Sequence, residues 1–231
     1  EMSTGLWDEY IDSLDPTKSY FLASDIAEFR QWRTKLDDDL KAGNVDRGFE
    51  IYNRYRLRVS DRLNNILSQL DNGLPKFDFT KDESLELDRE KSEWPRTIGE
   101  ADDLWRKRLK SSVLNLRLTE KDDEEIADLL QRRYKGRLKR LGQQNSDDVF
   151  ELYMNSITRL YDPHSNYLSP RSLENFNMSM SLSLEGIGAV LQMEDEYTKV
   201  ARLVAGGPAD RTGKIKPNDK IVAVGQDQDG E

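Results

Sequence analysis

Apolar side chains recur at helical spacing through the first two thirds of the chain. Leu6, Tyr10, Ile11 and Leu14 share one side of a segment over 5–14, which Asp15-Pro16 ends. Ser24 or Asp25 can cap a second helix running to about Lys41. Ile26, Phe29, Trp32, Leu36 and Leu40 line its inner face, with Gly43 beyond. Asn44 caps the longest element, in which Phe49, Tyr52, Tyr55 or Arg56, Val59, Leu63, Ile66, Leu67 and Leu70 form one stripe before Asp71-Asn72-Gly73. Such a stripe marks a core-facing helix rather than a cofactor box. Residues 74–96 break the period, and Pro75, Phe77, Phe79, Trp94 and Pro95 are the anchors that pin this polar segment onto its neighbours. Thr97-Ile98-Gly99-Glu100 and Thr119-Glu120-Lys121-Asp122 have the capping-box form and open two further helices. The second carries Ile126, Leu129, Leu130, Tyr134, Leu138 and Leu141 and stops at Gly142. Ser146 or Asn145 caps a last helix over 147–161, which Asp162-Pro163 terminates.

The period then changes. Met178, Met180, Leu182 and Leu184 alternate with Ser179, Ser181, Ser183 and Glu185, the pattern of a half-buried strand. Gly186-Ile187-Gly188-Ala189 follows, then a second apolar run, Val190-Leu191. Another strand is predicted over 199–204. Ala205-Gly206-Gly207-Pro208 turns into a one-turn helix with Pro208 near its first position and Gly213 as its stop. Pro217-Asn218-Asp219-Lys220 leads into a final apolar run over 221–225. There is no internal repeat or low-complexity segment.

Two glycines flanking an isoleucine let the backbone take positive φ and approach a ligand without an intervening Cβ. Successive N–H groups in such a turn form a concave anion site, and the strand beyond offers an edge to an extended peptide. Gly186, Ile187, Gly188 and Ala189 are therefore candidate main-chain donors to a chain-terminal carboxylate. The competing reading is a tight turn or bulge.

Composition narrows the partners. At 231 residues, with 36% hydrophobic and 34% charged positions, the chain has room for one large or two modest domains with a heavily charged surface. The balance of 35 basic against 44 acidic residues gives −9 and argues against a general nucleic-acid partner. No run of about 18 apolar residues is present to span a membrane. The start Glu1-Met2-Ser3-Thr4 shows no leader pattern, so an exported parent would carry its signal upstream. Without cysteine there is no disulfide, thiolate metal site or cysteine nucleophile, and no cofactor or metal is expected. The six basic residues between Gln131 and Arg140, close to acidic runs at 122–125 and Asp147-Asp148, read as a solvated helix face. Asp162, His164 and Ser165 bring an acid, a base and a nucleophile together, and His164 is the chain's one histidine. A triad needs directed serine-to-histidine and histidine-to-aspartate hydrogen bonds. Neighbours stiffened by Pro163 cannot readily aim that way, so the segment reads as a turn.

The order of glycine loop, strand, Gly-Pro-Ala with a short helix, and Asn-Asp-x-Ile-x-x-Val-Gly resembles that of PDZ domains. Asp162-Pro163-His164-Ser165-Asn166-Tyr167-Leu168 resembles an element of carboxy-terminal processing proteases. The stretches 181–192 and 204–209 resemble the tail-specific proteases of Gram-negative bacteria. So do Phe21-Leu22-Ala23-Ser24-Asp25, Arg132-Arg133-Tyr134-Lys135 and Asn145-Ser146-x-Asp148-Val149-Phe150. The resemblance implies a mainly α N-terminal helical domain (1–161), a linker (162–176) and an incomplete PDZ-like α+β module (177–231). It further implies a periplasmic serine endopeptidase as the parent, using a Ser-Lys pair that lies beyond Glu231, so that no catalytic residue falls in this chain. Its partners would be the apolar C-terminal tails of substrate proteins, and an adaptor protein could dock on the helical domain. The alternatives are a non-enzymatic tail-binding adaptor and a helical interaction domain.

Overall fold

Burial of one face of each helix builds the first of two units in the computed structural model, which describes residues 1–181, 186–194 and 197–225. That unit, Glu1–Ser169, holds α1 (Met2–Leu14), α2 (Ala23–Phe29), a 3-10 turn (Arg30–Trp32), α3 (Leu36–Lys41), α4 (Asp46–Leu70), α5 (Ile98–Arg117), α6 (Asp123–Gln143) and α7 (Ser146–Tyr161). None of the described helices is long and apolar enough to cross a membrane.

The 25 residues of α4 give it a length of about 37 Å, enough to serve two cores in succession. Ile51 and Tyr52 join α1, α2, α3 and α7 in one cluster around Leu6, Tyr10, Phe21 and Tyr153. Val59, Leu63, Ile66, Leu67 and Leu70 join α5 and α6 in the other, around Trp105, Leu109, Val113, Ile126 and Leu130. Tyr55 packs against both.

Several helix boundaries differ from the sequence expectation: α2 starts at Ala23 with Leu22, not Ser24 or Asp25, as its N-cap, Val45 rather than Asn44 is the N-cap of α4, and α6 runs one residue past Gly142. Two further differences show their physical cause. The predicted helix from 24 or 25 to 41 is broken after Phe29, where a 3-10 turn stacks Trp32 on Phe29 at 5.4 Å. The Ser3 hydroxyl on α1 accepts the Leu36 N–H at 2.8 Å, and the chain kinks to carry fully buried Leu36 beneath α1. A tertiary hydrogen bond thus overrides a continuous helical pattern. At the second site, Thr119 does not cap α6. Its hydroxyl donates back to the Leu116 carbonyl, and Glu120 takes a φ of 62°, which closes α5. Asp122 is the cap, and its carboxylate and that of Glu125 exchange bonds with each other's backbone N–H. Thr97 and Asn145 do cap α5 and α7.

Two buried carboxylates organise the loops. Asp15, expected only to end a helix with Pro16, is fully buried and accepts the N–H groups of Ser19, Tyr20 and Phe21 and the indole N–H of Trp94. It thereby ties the α1–α2 connection to the 74–96 segment. Asp25, at the third position of α2, accepts the Leu22 N–H and the guanidinium groups of Arg54 and Arg58 from α4. The 74–96 segment is held a second time where Arg106 and Lys110 of α5 grip Glu83, lowering its carboxyl pKa to about 2. Residues 162–169 fold back on α7, whose Asn155 side chain exchanges two hydrogen bonds with the Tyr167 backbone.

The second unit, Pro170–Glu231, contains α8 (Pro170–Met180), β1 (Ala189–Glu194), β2 (Tyr197–Leu203), α9 (Pro208–Thr212) and β3 (Lys220–Ile221). Its strands form an antiparallel sheet in the order β1-β2-β3. The strand predicted over 178–185 is corrected in its described part, because Met178, Ser179 and Met180 close α8. Three alternating residues satisfy either period, and Pro170 with Leu173, Phe176 and Met180 at helical spacing decides for the helix. Residues 182–185 lie outside the described residues. The last run is strand only at Lys220–Ile221, and Val222 and Val224 are exposed.

Burial by itself would raise the Asp25 pKa, but the bonds from Arg58, Leu22 and Arg54 outweigh it and hold the group below the usual carboxylate range. A depressed folded-state pKa contributes stability above the unfolded value of about 3.9, and that contribution is lost as pH falls through the folded value. Asp25→Ala, which strands two arginines, should destabilise the helical unit by about 3–5 kcal/mol in urea unfolding followed by circular dichroism near pH 7. The loss should shrink as the unfolding pH is lowered from 5 towards 2.

Candidate functional site

The glycine loop stands at the start of β1, one of the two outer strands of the described sheet. Gly188 has a φ of +72°, and its Cα lies so close to the Gly207-Pro208 turn that an added Cβ would fall 2.9 Å from the Gly207 Cα and 3.0 Å from the Pro208 Cδ. A Cβ on Gly207 would in turn meet the Val204 carbonyl at 2.9 Å. Two backbones therefore touch at a point where neither has room for a side chain.

Hydrogen bonds fix that contact through the loop's carbonyls. The Ile187 carbonyl accepts from Ala209 N–H, and the Gly188 carbonyl accepts from Val204 N–H, both at 2.8 Å. The neighbouring turn uses its own amides: Gly206 N–H donates to the Asp210 carboxylate and Gly207 N–H to the Val204 carbonyl. Pro208, with no N–H to lose, opens α9, and Gly213 in the left-handed conformation ends it. Among the described residues, no turn or loop bond takes the N–H of Gly186, Ile187 or Gly188. Gly186 stands in open space.

The register extends this picture along β1. Ala189 faces Leu203, and the Val204-to-Gly188 bond beside it marks a pair that shares no hydrogen bonds of its own. The Ala189 N–H is therefore directed to the outer edge. Ala201 is bulged out of β2, so Leu191 faces Val200. The N–H and carbonyl of Val200 are spent on Asp219 and Asn218, which leaves the main-chain groups of Leu191 directed outward as well. Ile187, Val190 and Leu191 are partly exposed along this edge. At the far end, Lys199 pairs with Glu194 across the strands and lowers its carboxyl pKa.

All four residues expected at the site, Gly186, Ile187, Gly188 and Ala189, thus lie together in one loop and the first residue of an edge strand. Sequence reading gave Gly207 and Pro208 only a turn, although they form the wall against which Gly188 is set. Their pairing with Gly188 has no local signal, because it joins positions 19 and 20 residues away along the chain. The Asp162 segment is an exposed turn. The Ser165 hydroxyl donates directly to the Asp162 carboxylate at 3.1 Å, and the same side chain accepts the His164 backbone N–H. The serine is bonded to the acid, and the imidazole does not stand between them. Among the described residues, no group of three His, Asp or Glu side chains is arranged to hold a metal ion.

Known proteins give these two units a context. Residues 1–171 match the family described as tail specific protease N-terminal domain, and residues 175–230 match the PDZ domain family. The chain is 42% identical over 227 residues to a tail-specific protease of Haemophilus influenzae, which covers 98% of this chain and 32% of that protein. It is 37% identical over 68 residues to the carboxy-terminal processing protease CtpA of Bacillus subtilis, covering 29% of this chain and 14% of that protein. A probable CtpA-like serine protease of Staphylococcus aureus is 35% identical over 83 residues, 36% of this chain and 16% of its own. The chain therefore spans about a third, or less, of the length of these relatives. The similarity to the Bacillus and Staphylococcus proteins is confined to a short stretch, whereas that to the Haemophilus protein runs through the helical unit as well. A helical unit matched over its whole length, followed by a PDZ module, places the chain in one group: it belongs to the tail-specific protease family.

Proposed function

We propose that this chain is the helical and tail-recognition portion of a periplasmic carboxy-terminal processing serine endopeptidase. The observation that carries the reading is the division of labour in the glycine loop: the Ile187 and Gly188 carbonyls are bound internally, while among the described residues no turn or loop bond takes the N–H of Gly186, Ile187 or Gly188. The C-terminal carboxylate of a substrate is held by the N–H groups of Ile187, Gly188 and Ala189, with Gly186 supplying the turn. The tail then lies antiparallel to β1 and bonds to the outward main-chain groups of Leu191. Apolar side chains of the tail meet the exposed faces of Ile187 and Val190.

Charge-assisted hydrogen bonds contribute roughly 1.5–3 kcal/mol each. After ordering costs, two or three of them support affinity on the order of micromolar, suited to a protease that must release its products. The relatives' names supply the reaction class, and the name of the Staphylococcus protein adds serine chemistry. The Ser-Lys pair is assigned to no residue among the 231, and the helical domain shapes the approach to the catalytic core and can receive an adaptor. A stand-alone tail-binding adaptor would use the same loop, but the relatives' names favour the protease.

Two measurements test this. In fluorescence anisotropy, the whole protein should bind an apolar-tailed peptide with a free carboxylate at least tenfold more tightly than its amidated twin, and equal binding would remove the recognition role. Incubation of residues 1–231 with an unfolded protein bearing the same tail should give no cleavage, whereas tail-specific products lost on Ser165→Ala would overturn the assignment of 162–168.

The contact beneath the loop gives a further outcome. Gly188→Ala forces a side chain into a left-handed position against the Gly207-Pro208 backbone. It should cost the PDZ unit about 1–3 kcal/mol and weaken the free-carboxylate peptide selectively. Gly186→Ala, in open space, should leave thermal stability close to the parent value.

A further inference from the structure

The α1–α2 connection carries two cations on consecutive residues. Arg108 of α5 donates to the Ser19 hydroxyl at 3.1 Å and lies 5.2 Å from the centre of the Trp105 ring. Arg137 of α6 donates to the Tyr20 hydroxyl at 2.6 Å and lies over the Tyr20 ring. The Tyr20 and Trp105 rings are 5.1 Å apart, so the two guanidinium groups flank one aromatic pair. Among the described residues, neither arginine forms a salt bridge, although most arginines around them do.

The other charges here are already engaged. Asp15 is enclosed by four N–H donors. Arg89 donates to the carbonyls of Thr17, Lys18 and Glu93 and pairs with Glu86. Burial lowers the pKa of half-buried Arg108; Tyr20 and Asp15 raise it and the like charges of Arg89 and Arg137 lower it, and a guanidinium stays protonated. Asp15 brings one negative charge to these two cations, and the cation left uncompensated is costly unless a further anion completes the site. Each guanidinium uses one nitrogen on its hydroxyl partner and keeps further N–H donors in a planar fork that matches the paired oxygens of a phosphate or a carboxylate group.

We propose that Arg108 and Arg137, positioned by the hydroxyls of Ser19 and Tyr20, form a binding site for a tetrahedral oxyanion of the phosphate type. The site belongs to the helical unit and is independent of the glycine loop. A phosphate group could arrive as the free ion or on a lipid headgroup, and the two share this chemistry.

The test uses inorganic phosphate as the probe. Thermal unfolding of residues 1–231 is followed in phosphate and in chloride at matched ionic strength and pH. The parent chain should unfold at a higher temperature in phosphate, with isothermal titration giving a saturable heat. Arg137→Gln, an exposed substitution, should weaken binding roughly tenfold or more, consistent with loss of one charged hydrogen-bonding group. Arg108→Lys, which keeps the charge and loses the fork, should also weaken it, whereas Arg96→Gln, at a pair elsewhere, should bind as the parent does. Sedimentation with phosphatidylglycerol vesicles that is lost in Arg137→Gln would identify a lipid headgroup as the source. Phosphate binding without sedimentation would identify the free ion. The same unfolding temperature in both salts, or an equal phosphate effect in Arg137→Gln, would overturn the proposal.

Discussion

One apolar stripe, on α4, must satisfy two cores, and the arrangement of the helical unit follows from that demand. A helix of about 37 Å exceeds what one small cluster can cover, so α1, α2, α3 and α7 close over its first half and α5 and α6 over its second. Tyr55 sits at the junction. The polar border of the same helix completes the work. Arg54 and Arg58 reach the buried carboxylate of Asp25, and Arg62 pairs with Asp102 on α5. A helix that carries both cores on one side and arginines along its flank leaves its neighbours few alternative registers.

Buried carboxylates do for the loops what apolar packing does for the helices. Asp15 replaces lost water with three backbone amides and an indole, and the segment that donates them cannot leave without exposing an unpaired charge. Through Trp94 that constraint reaches 79 residues along the chain and pins the irregular segment before α5. The glycine loop of the second unit uses a different device. Two backbones are brought so close that only glycine fits at Gly188 and Gly207, and carbonyl acceptors lock them there. Fixing the Ile187 and Gly188 carbonyls orients their peptide planes, so the N–H groups in those planes point the opposite way.

The family relationship and this geometry bear on different questions. The match over residues 1–171 and 175–230 assigns the chain to the tail-specific proteases. The loop geometry concerns how one edge of the second unit is built, and the chain covers about a third of the length of the Haemophilus protein. The helical unit shows no constellation of nucleophile and base at Asp162–Ser165, and its chemistry there is that of a turn.

Much of the molecule was legible in the sequence, because its signals are local. The stripes of α1, α4 and α6 repeat every three to four residues, the Thr97 and Asn145 caps lie within three residues of the amides they bond, and Pro208 and Gly213 bracket α9. The glycine loop was visible as a motif for the same reason. What the sequence did not contain was any contact made at long range. The break after Phe29 depends on Ser3 capturing the Leu36 amide, the end of α8 on which of two equally short periods prevails, and the capping of α6 on where α5 chooses to stop. Beyond its left-handed φ, the steric need for glycine at Gly188 arises only when Gly207 is folded against it. Local propensity costs or gains about 1 kcal/mol per residue and is written in neighbouring letters, whereas a steric exclusion or a buried charge exists only once distant segments have met.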